Sequence, residues 1–330
     1  MKGAGVIGGV VVLLVGGGVI GWQAVSDRSS DPVAAVQPGQ DPSLEALAEA
    51  TVSGGPGKDG IPSIDRPRFV SARGATFLAD DEPVFGLEHR GEVRAYPQQV
   101  LVWHEIVNDT VAGEPLAVTY CPLTGTVVGF SAPPGTPELT FGTTGRLVNS
   151  NLLMYDRQTG SEWPQLLGTA INGPLKGTTL DTVPLVWTTW KQWRTAHPDT
   201  EVLSTATGAL RSYGSDPYGS YDAYPDRGGY YAKGGPLFPV LATSDRFPDK
   251  EVVIGVRDGQ EQLAIRKELV RKEGAVQATV AGTRIEARWD EPLGTVRVLQ
   301  RTGDRWQPAD HLDAMWFAWY AFHPNTQVRQ

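Results

Sequence analysis

Apolar and polar positions alternate over short stretches of this chain, and turn pairs separate the stretches. Residues 84–89 and 92–96 are two such runs around Arg90-Gly91, which predicts a hairpin. Pro97 closes it. Residues 98–107 then carry apolar side chains at helical spacing, up to the turn pair Asn108-Asp109. Residues 116–120 and 126–130 read as strands on either side of a Pro/Gly turn. Short strands are expected at 139–141 and 152–155, a hairpin at 251–256 and 262–265 around Asp258-Gly259, and strands at 276–280, 284–289 and 295–300. Helices are expected at 186–196 and 311–322. The whole is an α+β pattern: one β-rich domain of several short antiparallel strands and a few helices, not alternating βαβ units.

The first residues break this pattern. After Met1-Lys2 the run 3–25 carries no charge, and at about 1.5 Å per helical residue it is long enough to cross a bilayer. Its glycines would weaken a helix in water but are tolerated in lipid, and Trp22 sits where an interfacial anchor belongs. Lys2 keeps the short tail in the cytoplasm, so the body is expected on the extracytoplasmic side, held to the membrane by this helix. The competing expectation is a cleaved signal peptide, with Val33-Ala34-Ala35 as the small-residue site and a secreted body. The organisation expected is an anchor at 1–25, a flexible stalk at 26–65 rich in Ser, Asp, Pro, Gly and Ala with one helical stretch at 43–50, and a globular domain at 66–330.

One internal echo stands out. Trp190, Trp193 and His197-Pro198 share their spacing with Trp316, Trp319 and His323-Pro324. Trp at i and His at i+4 lie on one helix face. A His in the last turn suits the macrodipole and a following Pro stops the helix, which explains the echo without a duplicated ligand site.

Charge and composition narrow the function classes. The net charge of −8 argues against a nucleic-acid partner and against adsorption to anionic lipid, so a membrane link should be hydrophobic. The 10 tryptophans and 10 tyrosines fit either a core of large rings or an aromatic surface for a flat ligand. No phosphate-binding Gly-Lys-Ser/Thr loop, dinucleotide fingerprint, Gly-x-Ser-x-Gly elbow or haem-attachment motif is present.

Candidate chemistry gathers around Cys121, the sole cysteine, which a strand-like run delivers to the turn Pro122-Leu123-Thr124-Gly125. It is open to three roles: a buried packing thiol, a metal ligand or a nucleophile. As a nucleophile it needs a base, and His104 is the nearest candidate, with Asp109 or Asn108 as orienter. As a metal ligand it could share copper or zinc with His104, and His323 or His89 could join them. His104-Glu105-x-x-Asn108 misses the zinc-protease helix motif by its last residue. Substrate contacts are expected from Tyr120, Asn149, Ser150, Asp156 and Arg94, with Glu105 in the same site. Asp156 and Glu162 are near Arg146 and Arg157 in sequence, which favours ion pairs over paired-carboxylate catalysis. The Tyr-rich loop at 213–231 could stack on a small-molecule or envelope partner, or pack on its own rings.

Several motifs together resemble a known family. They are Arg94-Ala95-Tyr96-Pro97, Val118-Thr119-Tyr120-Cys121-Pro122-Leu123, Asn149-Ser150-Asn151-Leu152, Tyr155-Asp156-Arg157, Trp163-x-Gln165 and the closing Trp316-Phe317-Ala318-Trp319-Tyr320-Ala321-Phe322-His323-Pro324. The stretch from about 83 to 323 is similar to bacterial and archaeal proteins carrying the domain of unknown function numbered 3179. The resemblance implies an exported or envelope location and no particular activity. The family commonly has Cys-Pro-Leu-Cys, and here the second cysteine position is Thr124, which removes a resolving thiol. Two functions stand against each other: a thiol or metal centre at Cys121 and His104, or a non-catalytic extracytoplasmic binding or scaffold domain using the Tyr-rich loop.

Overall fold

The computed structural model describes residues 14–15, 18–19, 39–219, 229–232 and 234–330. The expected membrane span at 1–25 lies outside the described residues, apart from the paired dipeptides Leu14–Val15 and Gly18–Val19. Among the described residues no helix is long and apolar enough to cross a membrane.

The first hairpin forms as its turn chemistry dictates. Strand Pro83–His89 pairs with Glu92–Pro97, and Arg90 and Gly91 both take positive φ, as a tight two-residue turn requires. Helix Gln98–His104 follows. It is shorter than the apolar spacing suggested, because Glu105 ends it in the left-handed region and the chain continues at once as strand Ile106–Val111. Asn108 and Asp109 therefore lie inside a strand, not in a turn; the turn is Ala112-Gly113, with φ of 51° and 77°. Strands Glu114–Cys121 and Thr126–Ser131 complete this sheet.

The same sequence of elements then recurs. Val252–Asp258 pairs with Glu261–Arg266, helix Lys267–Glu273 ends on Gly274, and strands Ala275–Val280, Thr283–Asp290 and Thr295–Thr302 follow. Its turn Ala281-Gly282 has φ of 47° and 81°, nearly those of Ala112-Gly113. Gly86 and Gly255, Glu105 and Gly274, and Gly125 and Gly294 fall in register at one constant offset along the chain.

Each copy is closed the same way. Val186–Thr189 adds antiparallel to Pro83–His89, helix Trp190–Ala196 folds back, and Glu201–Leu203 adds parallel to Glu92–Pro97. In the second copy His311–Met315, helix Trp316–Phe322 and Gln327–Arg329 do likewise. The expected helices at 186–196 and 311–322 are thus strand-then-helix: their first residues are drawn into the sheets by ladder pairing, which short apolar runs do not reveal by periodicity alone. Helix Trp190–Ala196 starts where the Thr189 hydroxyl accepts from the Gln192 amide.

The Trp–His echo marks this duplication of a whole module, and more than a local helix stop explains it. Trp193 lies flat on Gly86 and Trp319 on Gly255; a Cβ on either glycine would stand 2.1 Å from the indole. The Trp193 indole N–H donates to Thr200 Oγ1 at 3.1 Å and that of Trp319 to Thr326 Oγ1 at 3.0 Å. His197 and His323 cover the outer faces of the two indoles. The copies also grip each other reciprocally. Leu293 from the second packs on Trp190 and Trp193, while Leu123 from the first shares a core with Trp316. The Met315 amide donates to Thr124 O at 2.9 Å, and the Thr188 hydroxyl donates to Leu293 O at 2.5 Å.

The first copy alone carries an inserted sheet, Phe141–Val148, Asn151–Asp156 and Glu162–Pro164. The segment expected as flexible stalk lies against it from residue 39 onward. Helix Leu44–Glu49 buries Leu47, Val52–Ser53 pairs with Phe141–Val148, and Ile64 bridges to Val107. Burying a leucine of this kind stabilises by about 2 kcal/mol, one contribution among the several contacts needed to offset the entropy of ordering the segment. Six of the ten tryptophans serve the core: Trp163, Trp190, Trp193, Trp316 and Trp319 are fully buried and Trp187 is nearly so.

Candidate functional site

Cys121 ends strand Glu114–Cys121, where it pairs with Thr126 across the turn. Its Sγ accepts from the Leu152 amide at 3.4 Å and stands 4.0 Å from Ser150 O. Burial, and then the nearby Glu105, pushes the thiol up to about 11, so it is uncharged at neutral pH. Thr124, at the place of a second cysteine, is buried and bonds Thr126 Oγ1 at 2.8 Å and Asn151 Nδ2 at 3.0 Å. Gln165 extends that network to Thr126 and Thr119. The turn is therefore braced by a satisfied buried polar cluster.

His104 is placed in a different bond system. Its Nδ1 meets Pro62 O at 2.6 Å and its Nε2 meets the Tyr213 hydroxyl at 2.7 Å. Burial lowers its basicity, partly offset by Pro62 O. No hydrogen bond joins it to Cys121 among the described residues. Asp109 is engaged with Arg94 Nη1 at 2.7 Å, the Tyr96 hydroxyl at 2.6 Å and the Thr110 amide, and does not meet His104. Arg94 and Asp109 thus form a lock between two strands. Asn108 bonds Asp65 and Phe141.

The remaining expected contacts are braces as well. Asn149 and Ser150 form the tight turn between Phe141–Val148 and Asn151–Asp156, both at positive φ. Asn149 donates to Ala321 O at 3.0 Å and accepts from the Leu241 amide at 2.8 Å; the Ser150 hydroxyl donates to Phe238 O at 3.0 Å. Asp156 accepts from Thr159 and from the Trp163 indole, while Glu162 pairs with Arg146. Among the described residues no group of three His, Cys, Asp or Glu side chains is arranged to hold a metal ion.

Glu105 lies close enough to Cys121 and Tyr218 to raise both groups. Glu105 stands between helix Gln98–His104 and strand Ile106–Val111 with φ of 59°, a region costly for any residue with a Cβ. Its side chain is buried and has no hydrogen bond or ion pair among the described residues, and desolvation pushes the carboxyl up to about 8. Its own carbonyl accepts from the Tyr120 amide at 2.7 Å, which ties it to the residue before Cys121. Tyr218 packs against both large cores and is raised well above the usual range by burial, then by Glu105 and Cys121. Tyr230 meets Tyr218 edge-on and donates to Leu123 O at 2.6 Å. Tyr120 packs on Phe85 and Trp187, and its hydroxyl receives Gln98 Nε2 at 3.4 Å. Gln98 also reaches Asp216 at 3.0 Å. Lys250 lies over the Tyr230 ring, Nζ 3.3 Å from its centroid, and donates to Tyr230 O.

Of the Tyr-rich loop, 220–228 lie outside the described residues. The sequence reading grouped Cys121, Glu105 and Tyr120 and did not include Gln98 or Lys250. Gln98 had one signal, a polar residue opening an apolar helix. Lys250 had none.

The sequence profile of the family described as a protein of unknown function, DUF3179, matches residues 58–326. The chain belongs to this family. No curated protein and no solved structure matches it. The matched span starts inside the segment expected as stalk, in keeping with the bonds from Asp59 to Thr143 of the inserted sheet and between Ile64 and strand Ile106–Val111.

Proposed function

We propose that this DUF3179 member is a non-catalytic binding domain, held on the extracytoplasmic side by its N-terminal segment, that takes a small ligand at Glu105 beneath Tyr218 and Tyr230. The observation that carries this is the Glu105 carboxyl. It is buried, has no partner among the described residues and stands in a left-handed backbone, at a position the second copy fills with glycine. A strained, desolvated polar group of this kind lowers stability and is characteristic of functional sites. The rival thiol or metal centre at Cys121 and His104 has less support. An uncharged, sealed thiol is a poor nucleophile, and both nitrogens of His104 are already engaged.

The test is a fragment screen by ligand-observed NMR on the wild-type chain and on Glu105→Gly, a change its backbone tolerates. Fragments that contact the wild type and are lost in the variant are expected. Equal binding to both, or rapid iodoacetamide modification of native Cys121 at pH 7, would overturn this function.

A further inference from the structure

We propose that the open edge of strand Ala275–Val280, in the second copy, docks an extended segment of a partner protein. The segment lies parallel to the strand, with an aliphatic side chain beside Val276 and a basic residue two positions before it. This surface belongs to the other copy from Glu105 and is independent of that site.

The first copy shows what such an edge takes. Ile106–Val111 and Ala275–Val280 are edge strands of equivalent sheets in one register: Ile106 faces Thr119 and Asn108 faces Ala117, as Ala275 faces Arg288 and Gln277 faces Glu286. On the first edge the chain's own Ile64 runs parallel. Its amide donates to Ile106 O at 2.9 Å and its carbonyl accepts from the Asn108 amide at 2.8 Å. His104 Nδ1 meets Pro62 O at 2.6 Å, and Asn108 Nδ2 donates to Asp65 Oδ1 at 2.7 Å. Residues 104–107 are all buried.

The second edge faces solvent. Glu273, Gly274, Ala275, Gln277 and Thr279 are exposed, and Val276 is 8% exposed where Val107, at the same register, is 0%. The shared register points Ala275 O and the Gln277 N–H out of the sheet, as it does Ile106 O and the Asn108 N–H. Exposed edges are normally blunted by charge, proline or shortness. At the opposite edge of this sheet, Arg305–Pro308 is four residues long, opens on a charge and closes on proline. Ala275–Val280 is six residues long and carries neither charge nor proline. An edge of this kind suits strand addition.

The register also gives the chemistry of the occupant. Ile64 stands beside Val107, so an aliphatic residue belongs beside Val276, which shares its core with the partly buried Leu269 and Trp289. At the register of His104, which meets the residue two before Ile64, the second copy has Glu273. That carboxylate calls for Lys or Arg at the same place in the segment. A second copy of this chain fits less well, because its own Ile64 segment is already paired.

The experiment is amide exchange by mass spectrometry on the full chain with the peptide Gly-Ile-Lys-Ser-Ile-Asp-Arg-Pro, the sequence of residues 60–67 carrying Pro62→Lys. Protection of 275–280 is expected, with binding weakened by about tenfold or more in the Ile64→Asp form of the peptide. Gln277→Pro in the chain removes the outward N–H, spares the ladder and should abolish the protection. Glu273 is exposed, so Glu273→Lys keeps the fold and should weaken the peptide by about threefold. No protection by the peptide, or equal protection by its Ile64→Asp form, overturns the docking. Protection that appears without peptide and grows with protein concentration puts a second copy on the edge and overturns it as well. An unchanged affinity in Glu273→Lys overturns the basic residue.

Discussion

The two copies of the module share a skeleton and differ in what covers it. In the second, helix Lys267–Glu273 faces solvent, with Val270 its one buried residue, and ends on an exposed Gly274. In the first, helix Gln98–His104 is buried along nearly its whole length, because the stretch around 213–216 lies on it through Tyr213 on His104, Ser215 on Trp103 and Asp216 on Gln98. The polar groups also diverge. At the register of Glu105, Tyr120 and Cys121 the second copy has Gly274, Trp289 and Asp290. The comparison teaches that the scaffold needs the glycine seats under its tryptophans and the tight turns, while the buried acid and thiol are additions to one copy. Additions that cost stability on a scaffold able to do without them point to a site.

The comparison can be broken most sharply at the glycine seats. Gly86→Ala and Gly255→Ala each drive a Cβ into an indole, and each should lose more than about 3 kcal/mol or prevent folding. Urea denaturation of both variants checks this; a tolerated substitution on one side alone would end the equivalence of the copies.

Next comes Glu105→Gly, which makes the first copy resemble the second. Burial raises the folded-state carboxyl from its ordinary value to about 8, so the wild type holds its proton more tightly when folded. Its stability is therefore highest below the ordinary carboxylate range and falls as the pH rises toward 8. The variant should be more stable than wild type by about 1 kcal/mol at pH 4, from backbone relief, a difference that grows by about 4 kcal/mol up to pH 8 and is nearly level beyond. Denaturation midpoints across pH 4–9 report it. A flat difference would mean the carboxyl is not desolvated.

The smallest effect is a matched one. Thr200→Val and Thr326→Val each leave a buried indole N–H without its acceptor. Each should cost about 1–2 kcal/mol by chemical denaturation, nearly equally. A clear inequality would show that one tryptophan seat is backed by something the other lacks.

Much of this was legible in the chain as written. Arg90-Gly91, Asp258-Gly259 and the apolar alternation around them set the hairpins, and Pro198 and Pro324 set the ends of the tryptophan helices, because turns and stops are local chemistry. The strand character of Val186–Thr189 and His311–Met315 was not legible, since it comes from ladders with Pro83–His89 and Val252–Asp258 far away in sequence. The duplication was half visible. The Trp-x-x-Trp-x-x-x-His-Pro echo announced it, but its meaning lies in Gly86 and Gly255, whose missing side chains matter only once an indole lies on each. The candidate site divides the same way. The sequence by itself determined the strand that ends at Cys121 and the turn after it, because apolar alternation and a Pro/Gly turn are local chemistry; the ladder that sets Glu105 beside Tyr120 was hidden, because residues 106–107 read as helix. Only the tertiary structure decided that His104 turns to Pro62 and Tyr213 and that Asp109 belongs to Arg94, because partners for buried polar and charged groups are chosen by packing across the whole chain.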